Sequence, residues 1–129
     1  MNVLVWINEK MALGHENIDQ AHKEIIDLIN VVAKANSKTF SNAFTDLVCY
    51  TREHFEFEQK LMELHQDPAR REHKYQHTKL LGELSALEKQ VKRGQFKLAR
   101  SFVTVRLPEW LDAHTSSMDS MLVAHLNQR

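Results

Sequence analysis

EHKYQHTKLLGELSALEKQV, residues 72–91, is the stretch that decides the fold. His73, His77, Leu80, Leu84, Leu87 and Val91 recur at three- and four-residue steps, the period of one helix face, and the pattern runs up to a stop at Gly94. Two histidines at its head stand where leucine would continue the stripe. Working outward, three more segments carry the same signature. From about Ile18 to Ala35, one face holds Ile18, His22, Ile25, Ile26, Ile29 and Val32, with Asn17 and Asp19 near the free N–H groups of its start. The segment ANSKTFSNAF, residues 35–44, breaks the rhythm, and Ser41 or Asn42 is expected to cap the next helix. That helix carries Phe44, Leu47, Thr51, His54, Glu58 and Leu61 on one stripe and ends in a turn near Gln66 to Pro68. The last region contains Phe102, Val103, Leu107, Trp110, Leu111, His114, Met118, Met121 and His125. Four amphipathic helices with short links predict an all-α, up-down-up-down four-helix bundle preceded by an N-terminal arm.

Composition agrees. At 129 residues the chain is expected to be a single domain over 1–129, and three glycines and two prolines favour long helices. Lys+Arg 17 against Asp+Glu 17 gives no net charge, so neither nucleic acid nor an anionic membrane is expected as a partner. No apolar run reaches spanning length, and MNVLVWINEK has neither the basic nor the long apolar segment of a signal peptide, so a cytoplasmic location is expected. The lone Cys49, beside Val48, reads as a packing residue.

Pro108 interrupts the fourth segment. Either a helix starts near Leu107 with proline in its first turn, or one beginning near Gln95 kinks there; the amphipathic run Lys97 to Val105 favours the kink.

The chemistry lies in seven inward positions: His22, His54, Glu58, His73, His77, His114 and Asp119. His54 with Glu58, and His73 with His77, are four apart and stand above one another on a helix face. His114 and Asp119 are five apart, about 140° around an ideal helix. To share a site they must reach it from different sides, or the helix must widen locally into a π turn. Each group alone has a bland explanation, a core histidine or a surface i,i+4 pair. The coincidence does not: all four helices put histidine where leucine belongs, and buried carboxylates without partners are costly. Histidine and carboxylate together suit a redox-capable first-row metal, and seven ligands exceed one tetrahedral ion and suffice for two.

The motifs then resemble a known family. GHENIDQAHKEI (14–25), HFEFE (54–58), DPARREHKYQH (67–77) and WLDAHTSSMD (110–119) look, in order, like the four ligand-bearing motifs of the hemerythrins, specifically single-domain bacterial hemerythrins. Trp6 resembles a tryptophan of that family's N-terminal arm. The resemblance implies reversible binding of dioxygen, without enzymatic turnover, at two iron ions joined by an oxo or hydroxo bridge. His73, His77 and His114 would hold one iron, His22 and His54 the other, with Glu58 and Asp119 bridging. It also implies an apolar dioxygen pocket from Ile25, Trp110 and Leu111, with Thr115 where the family usually has isoleucine. Asp67 and Gln59 likewise depart from the family, as replacements for a tyrosine and a second glutamate outside the ligand positions. An unidentified reductase or an oxygen-consuming protein is the expected macromolecular partner.

Three rivals remain. A carboxylate-rich di-iron oxidase or iron-storage bundle would need paired Glu-x-x-His motifs, which five histidines and two carboxylates do not supply. A di-iron sensor module is less expected, since the chain shows no appended signalling segment. The third is a metal-free scaffold. The remaining histidines, His15, His65 and His125, are expected at the surface or the bundle ends.

Overall fold

The computed structural model describes residues 2–128. A short turn, α1 (Asn8–Met11), follows an extended arm, and the bundle helices are α2 (Glu16–Lys34), α3 (Phe40–Leu64), α4 (Arg70–Lys92) and a last helix, α5, spanning 97–126. Contacts run from α2 to α3, α3 to α4, α4 to the start of α5, and α5 back to α2, which closes a four-helix bundle. No strand occurs among the described residues, and no helix is long and apolar enough to cross a membrane.

The predicted stripes are the buried ones. Ile18, Ile25, Ile29 and Val32 of α2, Phe44 and Leu47 of α3, and Leu80, Leu84 and Val91 of α4 are all at most 4% exposed. The core has two parts, a large cluster around Phe44, Leu47 and Leu84 and a smaller one of Ile18, Met62, Leu122 and Val123. The metal-ligand candidates belong to the same inward stripes.

The helix ends are made differently from expectation. α2 is capped by His15, whose Nδ1 accepts from the Ile18 N–H at 3.2 Å. Asp19 turns back instead and accepts from the N–H groups of Leu13 and Gly14. α3 starts at Phe40, so Ser41 and Asn42 lie inside its first turn. The preceding bend is held by Asn36, whose Oδ1 accepts from the N–H groups of Lys38 and Thr39. At the far end of α2, Arg100 donates to the carbonyls of Val32, Ala33 and Ala35, a cation on the negative pole of the helix.

α5 settles the Pro108 question. It begins at Lys97 and passes through Pro108, and the turn before the proline, Phe102–Arg106, is π-wound, with the Leu107 N–H bonding the Phe102 carbonyl five residues back. Proline has no N–H to offer the α-helical ladder, and the wider turn accommodates the interruption. A second π segment, Thr115–Asp119, follows. Each π turn inserts one residue into the helical phase. Leu122 and Val123 therefore face the core, whereas Met121, one of the apolar residues of the last region, is 50% exposed. Cys49 is also corrected: it is exposed, while its neighbours Leu47 and Val48 carry the packing.

Candidate metal centre

All seven candidate ligands converge in the interior. His22 comes from α2, His54 and Glu58 from α3, His73 and His77 from α4, and His114 and Asp119 from α5; each is at most 6% exposed. Single donor atoms of Glu58, His73, His77, His114 and Asp119 lie within 4.8 Å of one another, and those of His22, His54 and Glu58 form a second such group.

The carboxylates divide their oxygens between the two groups. Glu58 turns Oε2 to His54 Nε2 at 3.4 Å, and Oε1 to His77 Nε2 at 3.3 Å and His73 Nε2 at 3.7 Å. Asp119 turns Oδ2 to His22 Nε2 at 3.0 Å, and Oδ1 to His73 Nε2 at 3.0 Å and His114 Nε2 at 3.2 Å. Asp119 can do this because the π segment brings it under His114: five-residue hydrogen bonding stacks residues five apart, where an ideal α-helix would splay them. Of the two geometries open for that pair, the structure adopts local widening.

These donors aim at common points and not at hydrogen-bond partners. Both oxygens of Glu58, Asp119 Oδ1, His54 Nε2 and His73 Nε2 are fully buried and make no directional hydrogen bond. Buried carboxylate and imidazole atoms without directional hydrogen bonds call for positive charge between them, from protons or from a cation. A histidine-rich set with two carboxylates fits a non-heme iron site.

The protonation pattern of the bare cluster reflects the same crowding. Burial opposes a charged His73, yet the neighbouring carboxylates of Asp119 and Glu58 outweigh it and raise its pKa to about 9. Burial pushes His77 down to about 4, aided by the neighbouring His73 and His114. His22 is raised despite burial, by Asp119. Burial and mutual repulsion work against ionised Glu58 and Asp119, but the surrounding histidines hold both well below the usual carboxylate range. Two carboxylates here thus require positive charge, and His22 and His73 are placed to supply it as protons until a metal does.

Aromatic rings wall the three-histidine side. Phe55 stacks parallel on His77 at 3.7 Å, and Trp110 stacks on His114 at 4.4 Å. A cavity of about 170 Å³ lies on the other side, touching His22. Leu111 and Thr115 line it, joined by Ile26, by Leu4 and Trp6 of the arm, by Lys10 and Met11 of α1, and by Asp112 and Ser116. Ile25 and Trp110 are not on it: Ile25 is in the main core, and Trp110 lies against the three-histidine group. Sequence reasoning missed the arm's part and a polar contact at the site, Gln76 Oε1 to His114 Nδ1 at 2.8 Å. The arm is clipped down by Asn30, which accepts from the N–H groups of Val3 and Leu4 and donates to the Leu4 carbonyl. His15, His65 and His125 stand outside the cluster; His125 Nε2 meets the His65 carbonyl at the bundle end.

The hemerythrin HHE cation binding domain matches residues 13–126. A bacteriohemerythrin of Ralstonia nicotianae is 32% identical over 129 residues, which cover 100% of this chain and 93% of that one. A bacteriohemerythrin of Stenotrophomonas maltophilia is 29% identical over 136 residues, covering 99% and 87%. Among solved structures, a wild-type hemerythrin superposes with a TM-score of 0.87 over 97% of this chain and 98% of its own. A hemerythrin point mutant gives 0.89 over 99% and 100%. Both are 23% identical, so this likeness concerns the fold.

Proposed function

The chain belongs to the hemerythrin family, and from that premise we propose that it binds dioxygen reversibly at a non-heme di-iron centre. Its ligands are His22, His54, Glu58, His73, His77, His114 and Asp119. One observation carries this reading: each carboxylate offers one oxygen to the pair His22 and His54 and the other to the trio His73, His77 and His114. That is the arrangement two bridging carboxylates need, and it divides the histidines three to two. The two-histidine position has the fewer protein donors and borders the cavity at His22. Two ferrous ions held there would each lend one electron to dioxygen and recover it on release.

The chain's own residues supply the rest. Glu58 and Asp119 offset much of the charge of two cations in a buried site. Leu4, Trp6, Met11, Ile26 and Leu111 present apolar walls suited to dioxygen, and the polar side of the cavity is formed by Lys10, Asp112, Thr115 and Ser116. Thr115 places a hydroxyl-bearing side chain on the same wall. Phe55 and Trp110 pack against the far histidines His77 and His114, while a cavity reaches the centre at His22. The corresponding role is carriage, storage or delivery of dioxygen. A reductase able to restore the ferrous state, or a protein that consumes the oxygen, would be the partner.

Anaerobic loading with ferrous iron followed by cycles of air and argon tests the proposal. An absorption band that appears in air and disappears under argon over repeated cycles is the expected result. Bleaching after a single exposure would replace carriage by an oxidase or sensor function.

A further inference from the structure

We infer that Gln76 is a positioning residue that locks His114 with its proton on Nδ1, leaving the Nε2 lone pair for the metal centre. The inference rests on the di-iron reading above. His114 Nε2 points into the cluster, 3.2 Å from Asp119 Oδ1 and 3.0 Å from His77 Nε2, while its Nδ1 points outward to Gln76 Oε1 at 2.8 Å. An imidazole nitrogen can bind a metal only through an unprotonated lone pair, so in neutral histidine the other nitrogen must carry the hydrogen.

Gln76 decides which one does. Its amide could in principle present either end to His114. On its other side lies Glu72 Oε1, at a longer 3.4 Å from Nε2. An ionised carboxylate only accepts, so the amide nitrogen belongs on that side and the carbonyl oxygen faces His114. An oxygen at 2.8 Å from Nδ1 requires a hydrogen there. The chain of contacts Glu72, Gln76, His114 thus runs from the half-exposed surface of α4 to the buried face of α5. Among the described residues, His114 is the one cluster histidine whose outer nitrogen has a hydrogen-bond partner; His22 Nδ1 and His73 Nδ1 are buried with none. It is also the histidine that sits at the head of a π segment. Partners of this kind fix both tautomer and ring orientation and commonly account for 10–100-fold in metal affinity.

Ring-nitrogen NMR of His114 in the metal-free protein, paired with anaerobic competition for ferrous iron against a chelator, tests this in wild type, Gln76→Leu and Gln76→Glu. Wild type is expected to show hydrogen on Nδ1. Gln76→Leu should shift His114 toward the Nε2–H form and weaken iron binding about 10–100-fold. Gln76→Glu, which keeps an acceptor, should retain the Nδ1 hydrogen, move its resonance downfield and hold iron at least as well as wild type. A wild-type His114 without hydrogen on Nδ1 overturns the inference, as does a Gln76→Leu protein with unchanged Nδ1 protonation. Equal loss of affinity in both variants would mark Gln76 as a packing residue and also overturn it. If Gln76→Leu does not fold, the wild-type tautomer and the Gln76→Glu resonance decide alone. A wild type that binds no iron would refute the di-iron reading, and the tautomer measurement would still stand.

Discussion

Asn30→Ala removes the clip that holds the arm on α2. Asn30 is only 7% exposed, and its amide makes three bonds to the arm backbone: from Val3 N at 2.8 Å, from Leu4 N at 3.2 Å and to Leu4 O at 2.7 Å. At about 1 kcal/mol net for each, the loss is about 3 kcal/mol if the arm stays in place. Detachment limits it, because released backbone groups can bond water, so about 2 kcal/mol is expected. For a chain of this size that lowers the melting temperature by roughly 8 °C. The arm does not detach entirely: Asp19 still accepts from Leu13 and Gly14, and Lys23 lies 5.1 Å over the Trp6 ring. Amide hydrogen exchange should therefore speed up at Val3 and Leu4 and stay slow in the middle of α3 and α4. Because Leu4, Trp6 and Met11 wall the cavity at His22, the iron-loaded variant should also autoxidise faster. Unchanged exchange at Val3 and Leu4 would refute the clip. Faster arm exchange with unchanged autoxidation would refute the arm's role as a cavity wall.

Thr115→Ile replaces a hydroxyl on the cavity wall with an apolar group, and autoxidation of the oxygenated protein should slow by threefold to tenfold, about 0.7–1.4 kcal/mol in barrier; an unchanged rate would sink the idea that Thr115 shortens the life of the oxygenated form. Thermal melts of the metal-free protein across pH should peak near 6.5. His73 is raised to about 9, so its contribution is full below 6.5 and is lost as pH rises through 9. His77, lowered to about 4, and the depressed Glu58 and Asp119 act oppositely, and their contributions are lost as pH falls. The alkaline decline should disappear in the metal-loaded protein, where a cation replaces the protons on His22 and His73. Loading near neutral pH should accordingly release about one proton from His73, whose pKa is raised to about 9, readable as a buffer-dependent heat in calorimetry; a buffer-independent heat would contradict the charge balance. Arg100→Ala leaves three carbonyls at the end of α2 without their cation and should cost about 2 kcal/mol, measured by denaturant unfolding, with iron stoichiometry unchanged.

The bundle was legible because a helix stripe is written in residues three and four apart, and burial follows it at Ile18, His22, Leu80 and Leu84. The five-residue gap between His114 and Asp119 was also informative, since only a widened turn or an approach from two sides could unite them, and the π segment at Thr115–Asp119 provides the first. Its consequence downstream was not legible. An inserted residue changes the inward phase without leaving any mark in composition, so nothing in the last region's apolar spacing tells that Leu122 and Val123 are buried and Met121 is not. Contacts between distant segments were equally hidden. Arg100 reaching the end of α2, Asn30 holding the arm and Gln76 meeting His114 are 65–68, 26–27 and 38 residues apart from their partners. The cavity composition suffered for the same reason: which side of His114 a residue faces depends on how α5 is rotated against its neighbours, and this sets Trp110 behind the trio and leaves Leu111 and Thr115 at His22.

Two metal ions shared between Glu58 and Asp119 in one chain leave a signature in anaerobic titration with ferrous iron combined with X-ray absorption at the iron edge. Two equivalents per chain, histidine-rich coordination and a metal–metal scattering signal are expected, with that signal lost in Glu58→Ala. Saturation at one equivalent, or two equivalents without metal–metal scattering, would contradict such sharing.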